Sequence, residues 1–138
     1  TNNSDLDLHM LLEGYDFYSY DGDCCWCNPN PSWGDSGSAD DPSLSLDNRV
    51  GYGPEAIHIE NPWSPADTSV GAAYNILVHY FNNNGGGSTT ATVRIYLDGQ
   101  LIAEEYRVLS NRDLWDVGYV FWQNGNGQFV VENEKRMD

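Results

Sequence analysis

ATVRIYLDGQLIAEEYRV, residues 91–108, decides the fold class. Ala91, Val93, Ile95 and Leu97 alternate with Thr92, Arg94 and Tyr96, the period of a strand with one buried face. Asp98-Gly99 then supplies a two-residue hairpin turn, whose central positions both need positive φ. The chain returns over Leu101 to Val108, where Glu104 and Glu105 mark a solvated edge or face.

The same grammar extends in both directions. Asp5-Leu6-Asp7-Leu8-His9-Met10 alternates, placing Asp5, Asp7 and His9 on one face and Leu6, Leu8 and Met10 on the other. Cys24 to Asn28 is a short strand candidate stopped by Pro29 and Pro31, and Ala56 to Glu60 ends at Asn61-Pro62. Tyr74 to Phe81 runs into the polar loop Asn82-Asn83-Asn84-Gly85-Gly86-Gly87. Val117 to Gln123 and Gln128 to Glu132 form a last hairpin across Asn124-Gly125-Asn126-Gly127. No helical period intervenes. The expectation is one all-β domain over residues 1–138, an antiparallel β-sandwich of jelly-roll or immunoglobulin-like kind, with one long acidic loop over about residues 29–55.

Charge narrows the partners. The 138-residue chain carries 21 acidic and 6 basic side chains, a formal net charge of −15. Residues 1–67 hold 13 Asp or Glu and a single basic residue, Arg49. Nucleic acid is excluded as a partner because phosphate recognition needs clustered Lys and Arg. No apolar stretch approaches the roughly 20 residues that span a bilayer, so membrane insertion is not expected. Aromatic residues make up 13% of the chain, enough to supply a core and to argue against acidic disorder. The start at Thr1 reads as a mature or excised piece. Cys24, Cys25 and Cys27 are an odd set within DCCWCN. A local or intermolecular disulfide, unpaired thiols and metal thiolates are the open alternatives.

Gly34-Asp35-Ser36-Gly37 spells the nucleophile loop of chymotrypsin-like proteases. No histidine stands in the context that accompanies it there, and two barrels need far more chain, so a flexible acidic turn is the better reading. Paired carboxylates for glycoside hydrolysis would arise by accident among so many acids. The chain is expected not to be an enzyme.

A cation is the better use of the acids. Asp5 and Asp7 sit about 6.5–7 Å apart on one strand face. Asp40, Asp41, Asp47 and Glu55, with Asn48, offer further oxygens from the long loop. Calcium takes six to eight oxygen ligands in loose geometry, and an ion clamped between the first strand and the loop would order that loop. A merely solvated acidic surface is the alternative.

Asp5-Leu6-Asp7-Leu8-His9, Asn28-Pro29-Asn30-Pro31-Ser32-Trp33-Gly34, Asp40-Asp41-Pro42-Ser43-Leu44, Gly51-Tyr52-Gly53-Pro54-Glu55, Val78-His79-Tyr80-Phe81 and Ala91-Thr92-Val93-Arg94-Ile95-Tyr96 occur in this order. Together they resemble the YfaP-like domain of secreted and envelope bacterial proteins, over roughly residues 5–122. The resemblance implies a β-sandwich module, a secreted or cell-surface bacterial location, and no known catalysis. Relatives carry one more strand before the Asp-Leu-Asp-Leu-His segment, so the resemblance also implies a gap that a neighbouring subunit's strand could fill.

Trp26, Trp33, Tyr52 and Trp63 lie in or beside turns, where aromatic faces can stack on sugar rings. Capping the sandwich ends is the structural alternative. His9 and His79 project from strands and read as hydrogen-bonded structural histidines rather than metal ligands. An internal isopeptide bond is not expected, because Lys135 in the tail is the one lysine. The expected function is a non-catalytic extracellular calcium-binding module that binds carbohydrate or adheres. The rival is a structural subunit of an envelope assembly or filament, joined by strand addition or disulfides.

Overall fold

Among the described residues, alternation along the chain becomes nine strands: β1 (Asp5–Leu12), β2 (Asp23–Cys24), β3 (Ser43–Leu46), β4 (Ala56–His58), β5 (Ala72–Asn82), β6 (Thr89–Leu97), β7 (Gln100–Leu109), β8 (Asp113–Gln123) and β9 (Asn126–Met137). The computed structural model describes residues 4–47, 54–82, 85 and 87–138. There is no helix among the described residues. One antiparallel sheet of five strands runs in the order β2-β1-β5-β8-β9, and two two-stranded ribbons, β3–β4 and β6–β7, complete the set.

Even-numbered residues of β1 and β5 turn to one side of the large sheet. Leu6, Leu8, Met10, Ile76, Val78 and Tyr80 there meet Ala91, Val93 and Ile95 of β6 and Leu109 of β7. Trp115, Val117 and Val120 of β8 join the same core. Further along that face, Tyr74, Ala72, Cys24 and Trp33 pack with Leu44 and Ile57 of the small ribbon. The chain is thus an antiparallel all-β sandwich whose second layer is divided between two ribbons. A cleft of about 630 Å³ separates those ribbons, floored by Leu6, Leu8, Met10 and Val78 and walled by Ile57 and Val93.

Both tight hairpins use the expected chemistry. Asp98 and Gly99 have φ of 50° and 76°, and Asn124 and Gly125 have φ of 49° and 76°, the two positive values that match a turn to the twist of its strands. β8 contains a bulge between Asp116 and Gly118. It shifts the inward parity from Trp115 and Val117 to Val120 and Trp122, so both ends of a long strand reach the same core.

Three expectations change. The stretch from 29 to 55 is not one unstructured loop, because Ser43–Leu46 forms β3 and pairs with β4; residues 48–53 lie outside the described residues. Cys24 to Asn28 is not a strand: only Asp23–Cys24 pairs with β1, and Cys25 and Asn28 then exchange backbone hydrogen bonds in a tight turn. The final hairpin extends past Glu132 to Met137.

Candidate metal centre

The odd-numbered residues of β1 point away from the core. Asp7 is the direct cross-strand partner of His79 on β5, and His9 is the partner of Leu77. Directly opposed residues share a face, so Asp7, His9 and His79 converge on the outer side of the sheet. That side would be wet, but the segment between β1 and β2 folds over it. Phe17 lies 4.7 Å from His9 and 5.3 Å from His79 between ring centroids, and Tyr18 lies 5.1 and 5.8 Å from them. Asp7 and His79 are each 2% exposed, and His9 and Asp23 are fully buried.

Ionisable groups without water need partners. His9 Nδ1 meets the Asp23 carboxylate at 2.8 Å, and that carboxylate also accepts the Tyr18 backbone N–H at 2.9 Å. His79 Nδ1 lies 3.2 Å from the Tyr18 hydroxyl. The other imidazole nitrogens, Nε2 of His9 and of His79, have no hydrogen-bond partner, nor has Asp7 Oδ2. One ligand atom from each of Asp7, His9 and His79 lies within 4.8 Å of those from the other two.

A second group shares Asp7. Carboxylate oxygens of Asp7, Asp47 and Glu55 also lie within 4.8 Å of one another. Glu55 reaches the open edge of β1, where its Oε2 accepts the Leu8 N–H at 2.6 Å. A third group, His9, Asp23 and Cys25, is fully buried, but the Cys25 sulfur is taken up in a disulfide with Cys27.

Electrostatics agree with the geometry. Burial, then the charges of Asp5 and Asp47, push the Asp7 carboxyl up to about 8, against a hydrogen bond from the Trp26 side chain that lowers it. Burial and the neighbouring His9 hold His79 below the usual histidine range, although Asp138 favours its charged form. The Tyr18 phenol is raised to about 12, first by burial and then by Asp7. At neutral pH without an ion, His79 favours the neutral form that a metal accepts, and Asp7 favours its protonated form, whose proton a bound cation would displace.

The residues expected around an ion therefore divide. Asp7, Asp47 and Glu55 come together, and Asp5 acts on Asp7 through its charge. Asp40 and Asp41 do not join them: Asp40 Oδ2 accepts the Asp35 N–H and Asp41 Oδ1 accepts the Trp33 N–H, both at 2.7 Å, so they fold their own turn. His9 and His79 are hydrogen-bonded through Nδ1, as read from sequence, and each also offers a ring nitrogen to the Asp7 group. Asp23, which orients His9, carried no signal in sequence. The alternation of Asp5, Asp7 and His9 was legible, but the register that sets His79 opposite Asp7 was not.

The aromatic candidates divide too. Trp33 is core, 3% exposed, its indole N–H bonded to the Asp21 carbonyl, so it presents no face to a ligand. Trp63 is half-buried against the small-ribbon core. Tyr52 lies outside the described residues. Trp26 is exposed and packs edge to face with exposed Phe81, 5.7 Å between centroids. The cysteines resolve as a Cys25–Cys27 disulfide and a buried free Cys24.

No family model matches the chain, and neither curated proteins nor solved structures yield a match. The likeness to YfaP-like domains rests on its motifs alone.

Proposed function

We propose that this chain is a non-catalytic extracellular β-sandwich module that holds a calcium ion between β1 and the connection leading into β4. The observation that carries the reading is the convergence of Asp7, Asp47 and Glu55, with Asp7 Oδ2 buried and unpartnered. Three carboxylates at one point repel one another, and a hard cation that accepts oxygens in loose geometry relieves the repulsion. The Cys25–Cys27 disulfide suits an oxidising compartment, as the YfaP-like resemblance implies. Calorimetry on chelator-treated protein is the test: calcium should release or absorb heat at one site per chain and raise the melting temperature. Neither heat nor a shift would end the calcium reading.

For the bound partner, carbohydrate remains the proposed class, and Trp26 with Phe81 is the aromatic surface that supports it. Glycan-array binding should disappear in Trp26→Ala and persist in Trp63→Ala.

The divided second layer favours one further reading, a subunit that accepts a strand from a second copy of this chain. The cleft between the ribbons has an apolar floor, and β6 is hydrogen-bonded only to β7 among the described residues. Strand addition uses such an edge. Disulfide linkage has little support, because Cys25 and Cys27 bond each other and Cys24 is buried. Light scattering that finds monomer at every concentration would remove this reading.

A further inference from the structure

We propose that Asp7, His9 and His79 form a binding site for a first-row transition-metal dication of the zinc class, distinct in chemistry from the calcium reading of the neighbouring carboxylates. Two imidazole nitrogens and one carboxylate oxygen are a donor set that suits zinc, cobalt, nickel or copper. Calcium and magnesium prefer oxygen alone.

Three observations support the assignment independently of acidity. The first is the set of unpartnered atoms. Asp7 Oδ2, His9 Nε2 and His79 Nε2 are buried and make no hydrogen bond, on side chains at most 2% exposed. A native interior seldom leaves one such atom orphaned, and here three belong to residues whose ligand atoms lie within 4.8 Å of one another. The second is the orientation of the rings. A metal-bound histidine donates its other N–H to a carboxylate or another oxygen, which sets the tautomer. His9 Nδ1 has the Asp23 carboxylate at 2.8 Å, and His79 Nδ1 has the Tyr18 hydroxyl at 3.2 Å. Both rings therefore have Nδ1 beside an oxygen and Nε2 without a partner, an arrangement compatible with metal binding through Nε2.

The third is distance. Zinc–ligand bonds of about 2.0–2.2 Å place neighbouring ligand atoms about 3.3–3.6 Å apart. The three residues need only draw inward from their present spacing, which side-chain rotation on two rigid, paired strands allows. Three protein ligands leave a further coordination position for solvent or an added ligand. Phe17 and Tyr18 roof the rings, limiting access by water and strengthening the ion's hold.

The roles are distinct. Asp7, His9 and His79 are ligands, while Asp23 is a positioning residue that acts through His9. Asp7 also belongs to the oxygen-only group, so one side chain borders both sites. Asp47 and Glu55 belong only to the calcium reading, and the two histidines only to this one. That division makes the two proposals separable.

The test uses the full chain freed of metal by chelation. Zinc calorimetry should give one site per chain, and copper(II) bound to the unaltered protein should show electron-spin superhyperfine coupling from two nitrogens. His79→Ala and His9→Ala should each weaken zinc by more than about 100-fold. Asp23→Asn should weaken it by about 10–100-fold while a reduced nitrogen count is not seen. Asp47→Asn with Glu55→Gln should abolish the calcium heat and leave zinc affinity within about threefold. The copper spectrum needs no variant, so it decides the matter even if a histidine variant fails to fold. Absence of nitrogen coupling, or zinc affinity unchanged in both folded histidine variants, would overturn the site whatever calcium does.

Discussion

Asp7 and His79 face each other directly across the β1–β5 pair, in a continuous register that runs from Leu6 opposite Tyr80 to Leu12 opposite Tyr74. A one-residue slip would send one of them into the apolar core. The same register that buries Leu6, Leu8, Ile76 and Val78 within the sandwich therefore assembles the polar cluster on the other face. Fold and site are specified by one set of backbone hydrogen bonds.

The metal-free protein should lose stability as pH rises. Asp7 has an ordinary value of 3.8 and is raised to about 8 in the fold, chiefly by burial. The folded state then holds its proton more tightly than the unfolded state. This contribution is complete below about pH 4 and is lost as pH climbs through about 8, a total on the order of a few kcal/mol. Urea unfolding of chelated protein at several pH values should show that decline. Asp7→Asn should flatten it, and it should also remove metal binding.

Cys24 should be silent to thiol reagents in the folded chain. Burial, then Asp23, raises its thiol to about 12 from 9.0, and the thiol donates to the Pro29 carbonyl at 3.6 Å. At pH 8 the thiolate fraction is about 10⁻⁴, and only the thiolate reacts. One equivalent of label should enter in denaturant without reductant, and none under native conditions. Because the folded value is raised, the neutral thiol's contribution holds below about pH 9 and fades as pH rises toward 12.

What was legible in sequence follows from which interactions are local. Alternation over residues 91–108 and the Asp98-Gly99 turn are short-range signals, and they specify the β6–β7 hairpin without reference to the rest of the chain. Asp5, Asp7 and His9 were visible on one strand face for the same reason. His79, Asp23 and Tyr18 reach the site only through strand register and the fold-over of residues 13–28, which no local pattern encodes. Trp33 misled because a tryptophan beside Pro and Gly resembles a turn residue, whereas the folded chain draws it into the core. Asp40 and Asp41 misled because acids that cap their own backbone look the same in sequence as acids that bind an ion.

Gly118 should not tolerate a side chain. Its φ is 147°, and a Cβ there would fall on the Val130 carbonyl oxygen of the paired strand. Backbone strain and that clash add, because β9 cannot move without breaking its ladder to β8. Gly118→Ala should cost about 2–4 kcal/mol, read as a lower urea midpoint. Trp122 and Trp115 should both show altered fluorescence, since the bulge sets the inward parity on either side of it.

Asp116 should be the site where removing a charge improves the fold. Its carboxyl is raised to about 6, first by burial and then by Glu132 and Glu134, with Arg136 and the Gly118 N–H opposing. Asp116 pairs directly with Glu134 across β8 and β9, and like charges placed opposite each other are unfavourable. Asp116→Asn keeps an acceptor for the Gly118 N–H and discards the charge. Since the folded value lies above the ordinary 3.8, the cost of the ionised carboxylate appears between about pH 4 and 6 and is fully present at pH 7. The variant should gain about 1 kcal/mol at pH 7, a figure reduced for the partial exposure of the group, and nothing below pH 4. Equal stabilisation at both pH values would assign the effect to packing, while no gain at pH 7 would show that Arg136 already neutralises the group.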